Sequence, residues 1–464
     1  MTKLAYKDTN SLITDGLGFY LLSGGGQKLE LYDTNLAKFS EATMIEDVVI
    51  VVPPVDVPVE PTPTPVPMPV EPPTVPVEPP VLNPPALPVG MTVSSAAALT
   101  AALRATTGNA VIFIAPGNYG DFLFTGEVFE TPVTIKSLNP ANPASFRSLS
   151  FTRVENLTVE GVSVVFTPNA TTSTIAAGLN LTSCKKVKIV DCNLKSGPMP
   201  TDGLLTGRGI SVTTSENITL TGNDISQFRR GIMTGNVNGL VINYNWIHDN
   251  RTSLLSGGGI DNALIEFNHL ERSNPNNFGG DGDHGDFIHY WTSSTQTKPS
   301  DNIVIRNNFI EQGGGTALLG IYIDNNTNPH GFTNVTVENN LLHNSNGQGI
   351  RLEDVVGGIV RNNSLLQTYG DFRKAPRIRV EDGCRNIKIT NNIVSNTLAG
   401  AAVVNMATLN IVETGTVVIP LVQNQLGKFV GLPKENATLA ELQPIPGAFP
   451  AGVGATLTPA MFER

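Results

Sequence analysis

Ile218-Thr219-Leu220-Thr221-Gly222-Asn223-Asp224-Ile225 returns 22 residues later as Leu240-Val241-Ile242-Asn243-Tyr244-Asn245-Trp246-Ile247. Both follow one template: apolar, any, apolar, two residues, Asn, any, apolar. Five further copies keep the asparagine: Ala263–Leu270 with Asn268, Ile303–Ile310 with Asn308, Val335–Leu342 with Asn340, Gly358–Leu365 with Asn363 and Ile387–Val394 with Asn392. Two earlier copies, starting at Leu157 and Val187, place Val162 and Cys192 in that slot. Alternating apolar residues make a strand with one buried face. The asparagine marks a bend at which amides of successive coils can stack and hydrogen-bond, so the ladder reads as structural. The shortest spacings, 22 and 23 residues, measure one coil, and the longest, 40, is a coil plus an inserted loop. Nine copies predict an all-β solenoid of stacked parallel strands.

Working outward, Ser94–Arg104 has helix-forming composition with a serine start and Gly108 beyond its end. It precedes the strand Val111–Ile114 and the turn Ala115–Tyr119, as a cap over the first coil's exposed interior should. Before it, residues 52–90 form a linker: sixteen prolines between Pro53 and Pro88 favour an extended polyproline II spacer. Residues 1–51 hold two strand-like runs, Gly18–Leu22 and Lys28–Tyr32, and read as a small β segment that attaches the rest to a larger assembly. Residues 401–464 lose the repeat and are expected to form the last coils and a C-terminal cap.

The formal charge of −10 and the lack of a basic cluster argue against nucleic acid as a partner. The N-terminal residues carry no apolar core of signal-peptide length, and no run reaches the roughly 18 apolar residues of a membrane span. Three cysteines make no disulfide framework. Cys184 and Cys384 lie seven coils apart, roughly 34 Å at about 4.8 Å per coil, too far to pair.

The capping helix with Pro116-Gly117-Asn118-Tyr119, the asparagine coils and Asp283-His284-Gly285-Asp286-Phe287-Ile288-His289-Tyr290-Trp291-Thr292 together resemble the right-handed parallel β-helix proteins of the pectate-lyase-like group. That group includes phage tailspike depolymerases, alginate lyases and mannuronan C5-epimerases. The resemblance covers about residues 90–400. It implies a right-handed solenoid, a bacterial surface polysaccharide as ligand, attachment to a phage tail or virion, an extracellular or virion-surface location, and a homotrimer as one arrangement. Phe278 stands before the His284 segment where the epimerases place a tyrosine, which leaves cleavage ahead of epimerisation.

A second strand precedes each repeat, and stacking the residue after its Ile gives Ser211, Met233, Asp261, His289, Tyr322, Arg351 and Arg379 on one face. Two residues beyond lie Trp291, Asp324, Glu353 and Glu381, and two before lie Arg208, Arg230, Asp286 and Gln348. The longest interval also contains His284 and Tyr290 beside Asp281, Asp283 and Asp286, and insertions on one face of a solenoid commonly build its site. Two chemistries fit. In β-elimination from a uronic acid polymer, Arg351 or Arg379 neutralises the carboxylate, His289 is the base and Tyr322 the acid. In glycoside hydrolysis, Asp286 with Asp261 or Asp324 supplies the two carboxyl groups. His284 completes the catalytic candidates, and Trp291, Tyr290, Asp324, Glu353 and Arg379 are the substrate-binding ones. Gly279–His284 approximates the calcium-binding nonapeptide, but His284 stands in a slot that should be aspartate and there is one copy, so calcium is the one cofactor considered and no metal ligand is assigned. A non-catalytic adhesin or structural spike using the same face is the alternative.

Overall fold

The computed structural model describes residues 90–463 apart from 278–281, 326–329, 369–374, 382, 395–409, 420–426, 432, 433 and 435, together with the backbone of four short strands before residue 90. Those four make two antiparallel pairs: Leu12–Thr14 with Phe19–Leu21, and Leu29–Tyr32 with Lys38–Ala42. Each expected run therefore pairs with a neighbour. The two runs do not pair with each other. The proline linker lies outside the described residues.

The helix Ala96–Ala105 starts where Ser95 Oγ accepts from Ala98 N (3.1 Å), and it buries Leu99, Ala102 and Leu103. From there every coil adds parallel strands in register. A lower coil shows the pattern: Asp286–Trp291 on the first face, Ser300–Arg306 on the second and Phe309–Glu311 on the third. Strands of the first and second faces are linked where they run on from one face to the next, and the third face is a separate eleven-stranded sheet. In the upper coils the first two faces run on as one strand, as in Arg208–Thr221. Alternation sends Ile288, Ile303, Ile310 and their equivalents into one continuous core.

The asparagine ladder holds the bend between the second and third faces. Each amide Nδ2 donates to the Oδ1 of the next coil: Asn223 to Asn245 (2.9 Å), Asn245 to Asn268 (2.9 Å), Asn268 to Asn308 (3.0 Å), Asn308 to Asn340 (2.9 Å), Asn340 to Asn363 (3.0 Å) and Asn363 to Asn392 (3.0 Å). All seven are fully buried or nearly so. All three cysteines are free and buried.

One further coil follows the repeats, with strands Ile411–Thr414 and Val417–Val418. The described part of residues 427–463 then lies along the outside of the third face rather than across the end of the coil stack. Phe429, Leu439, Leu442 and Leu457 pack there on Phe309, Leu341, Leu366 and Ile393, and make a second apolar cluster. No helix among the described residues is long and apolar enough to cross a membrane.

Candidate functional site

The register fixes the first-face column as Ser211, Met233, Ser256, His289, Tyr322, Arg351 and Arg379. Six of the seven expected members are therefore brought together. The exception is Asp261, which pairs with Asn238 on the second face and carries its own ion pair to Lys298 (2.9 Å). The reason is local: Gly257-Gly258-Gly259 has no side chains to mark its phase, and Gly259-Ile260 imitates the Gly-Ile that opens a first-face strand. Ser256 holds the place given to Asp261.

Tyr290 is also corrected. It alternates inward with Ile288 and is fully buried, so it lines the core and meets no ligand. Burial pushes its phenol up from the usual range.

His289 sits at the centre of what remains. Its Nδ1 is 3.2 Å from Asp286 Oδ2 and its Nε2 is 3.6 Å from Asp324 Oδ2. Its ring stacks on Tyr322 (centroids 4.7 Å, 11° between planes) and meets Trp291 edge to face at 5.0 Å. The far side of Tyr322 is covered by the Arg351 guanidinium, 4.5 Å from the ring centroid. Trp291 lies over Gly258, where a Cβ would come within 2.8 Å of the indole Nε1, so glycine is needed there.

Asp286 has no exposed surface and is approached by the Nδ1 atoms of both His289 and His284, the latter at 3.1 Å. Burial pushes its carboxyl up, but the hydrogen bonds from His284 and His289 outweigh that and leave it below the usual range. His284, exposed on the rim, is raised chiefly by the same hydrogen bond. Asp286 is thus a holder of two imidazoles rather than a group open to substrate.

Asp324 and Glu353 occupy neighbouring coils, since Ile323 pairs with Leu352. Glu353 receives the Tyr322 hydroxyl (3.4 Å) and is raised from the usual carboxyl range, first by burial and next by the Asp324 charge. Tyr322 is raised by the same two causes. Arg351 lies 3.3 Å from Glu353 and 3.4 Å from Glu381, and Arg379 lies 2.7 Å from Glu381. Both guanidinium groups are therefore held by glutamates. Glu381 was visible in the column pattern, but its part in restraining both arginines was not.

Above His289 the charge reverses. Arg208 and Arg230 stack in register, with Arg229 and Arg251 beside them on Asp283 (3.7 and 2.5 Å). Asp283 is engaged by these arginines and is not poised to ligate calcium. Asp281, Gly279 and Gly280 of the proposed calcium loop lie outside the described residues. His284, Asp286 and His289 do place two nitrogens and an oxygen within 4.8 Å of one another, and His269, Glu271 and Glu311 on the third face do the same with one nitrogen and two oxygens. Such nitrogen-containing sets suit a transition metal better than calcium.

Two hollows lie away from this column. One, of about 300 Å³, is lined by Tyr244, Trp246, Phe267, His269, Phe462 and neighbours. The other, about 310 Å³, lies over Asp261, Glu216 and Lys298.

No curated protein matches this sequence. Among solved structures, the alginate lyase of Paenibacillus sp. str. FPU-7 is 19% identical with TM-score 0.39, over 72% of this chain and 96% of that one. The Dettilon tailspike protein is 12% identical with TM-score 0.46, over 69% of this chain and 62% of that one. PfbA, a surface adhesin of Streptococcus pneumoniae, is 10% identical with TM-score 0.45, over 72% and 92%. The family described as the right handed beta helix region matches residues 144–414. That match spans more than half of the sequence and coincides with the stacked coils described above, and the chain belongs to the right-handed β-helix family.

Proposed function

We propose that this protein binds a bacterial surface polysaccharide along its first face and hydrolyses it, with Glu353 as general acid and Asp324 as the second carboxylate. The observation that carries the reading is the Asp324–Glu353 pair: two carboxyl groups on neighbouring coils, one of them raised toward its protonated form. Coils are roughly 4.8 Å apart. The two side chains are close enough to share a hydrogen bond, and it is in closely spaced carboxyl pairs that one group attacks while the other protonates the leaving oxygen. Trp291 offers a flat apolar face beside them, and His289, steadied by Asp286, lies with its Nε2 3.6 Å from Asp324.

β-Elimination is supported less well. It needs a free cation for the uronate carboxylate, and Arg351 and Arg379 are engaged by Glu353 and Glu381. It also needs a base facing the substrate, and His289 Nε2 is buried and faces Asp324. Elimination would require both groups to be released first.

Attachment to a phage tail or other assembly through residues 1–51 belongs to the same proposal and rests on the linker's composition alone. The test is incubation with purified bacterial exopolysaccharides while following reducing ends and ultraviolet-absorbing unsaturated ends together. Hydrolysis predicts reducing ends without unsaturation, abolished in Glu353→Gln. Unsaturated product lost in His289→Ala would overturn this assignment in favour of elimination. Binding without any cleavage would leave the protein an adhesin.

A further inference from the structure

The residue just before the ladder position adopts a left-handed backbone in ten consecutive coils, from Gly161 to Gly415. Eight coils do so with Gly, Asn or Asp, among them Gly222 and Asn307, at φ between 50° and 69°. Two successive coils use large aromatics instead, Tyr244 (φ 56°) and Phe267 (φ 53°). A bulky side chain in this region is strained, and strain retained at consecutive positions points to a use beyond folding.

The core does not supply that use. Neither ring belongs to either apolar cluster, and Tyr244 is 46% exposed. The two rings lie parallel, 3° between planes and 5.0 Å apart, and edge the 300 Å³ hollow at the bend between the second and third faces. The hollow is within the size range of ligand pockets, at its lower end. Trp246 and His269 form one wall, and Phe462 and Glu463 of the C-terminal segment another. The indole is held in place: it stacks on His248 at 3.8 Å and donates to Glu271 Oε2 at 3.0 Å. Flat apolar faces interleaved with a carboxylate and an imidazole complement a sugar ring, which has apolar faces and a hydroxyl-bearing edge.

We propose that the stacked Tyr244–Phe267 pair forms one wall of a second glycan-binding subsite, taking a pyranose ring against an outer face of the stack with Glu463 at its hydroxyls. This rests on a polysaccharide being the ligand, and adds a contact remote from Asp324 and Glu353. Such a subsite would hold the polymer while the first face acts.

The test replaces both aromatics with the residue used in the coils below. In a Glu353→Gln background, which prevents cleavage, Tyr244→Asn/Phe267→Asn should melt a few degrees higher as strain is relieved. Its affinity for exopolysaccharide, measured on an array of purified bacterial capsular and exopolysaccharides, should fall at least fivefold. Unchanged affinity with raised melting temperature overturns the subsite and leaves the hydrolase reading intact. A lowered melting temperature makes the pair a packing feature and overturns it equally. If the protein with its native aromatics captures no glycan on the array, both proposals fall.

Discussion

Replacing Asn308 by Leu should cost about 2–4 kcal/mol, because it removes one rung from the middle of the ladder. Asn308 is fully buried, and its side chain makes five hydrogen bonds. Its Oδ1 accepts from Asn268 N and Nδ2, both at 3.0 Å. Its Nδ2 donates to Ile265 O, Arg306 O and Asn340 Oδ1 at 3.0, 3.0 and 2.9 Å. Asn268 Nδ2 keeps Ile242 O and Glu266 O, so it is not orphaned. Asn268 N–H loses its acceptor inside the core, at about 1–3 kcal/mol, and the two carbonyls lose a donor at somewhat less. Leucine fills similar volume and returns part of this through apolar burial. At about 2–4 °C per kcal/mol, the midpoint should drop by roughly 4–16 °C. Because each coil contacts only its neighbours, amide exchange should rise first in the coils around Asn268 and Asn340. Thermal melting with hydrogen exchange measures both effects. An unaltered midpoint, or lost glycan binding at an unaltered midpoint, would refute a purely structural ladder.

Three further outcomes follow from the same structure. Glu353 is raised in the folded protein, so cleavage should fall as pH rises through that raised value, and Glu353→Gln should abolish both the activity and this alkaline limb; a pH–rate profile checks it. His343 is fully buried with neither ring nitrogen bonded, and burial pushes it down to about 3. The unfolded chain therefore takes up a proton that the folded one refuses, and stability should decline by about 1.4 kcal/mol per pH unit as pH falls from about 6.5 towards 3. His343→Leu, copying Leu366 at the same register one coil below, should flatten that slope, as denaturation midpoints at pH 7 and 4.5 would show. A chain begun at Gly90 should keep its strand signal and melting temperature, since polyproline II offers no internal hydrogen bonds to couple it to the coils; an unfolded fragment would put the boundary elsewhere.

What the sequence made legible follows from which residues carry phase information. The ladder could be counted because every asparagine sits at one offset from an apolar pair, and a one-residue slip would turn the whole core outward. For the same reason His289, Tyr322, Arg351 and Arg379 could be placed on one face before any coordinates. Asp261 could not, because three glycines carry no side chain and thus no face. Tyr290 was misplaced although alternation already put it with Ile288, since its hydroxyl suggested a ligand where the period required core. The C-terminal segment had no repeat to count, and its packing on Phe309 and Leu341 depends on third-face residues that look like ordinary coil interior in sequence.

The two proposed sites differ in the same respect. Asp324 and Glu353 are chemically typical of an exposed solenoid face, and only their adjacency, with Tyr322 and the Asp324 charge beside Glu353, makes them a pair worth testing. Tyr244 and Phe267, by contrast, depart from a rule that eight other coils obey, so their anomaly is written in the sequence once the turn position is known. A departure from a local rule that the fold itself enforces is the more specific signal, because the strain at each position must be opposed by something the molecule gains. If the aromatic pair proves to bind nothing and to stabilise nothing, that inference from strain to use fails for this protein, whatever the first face does.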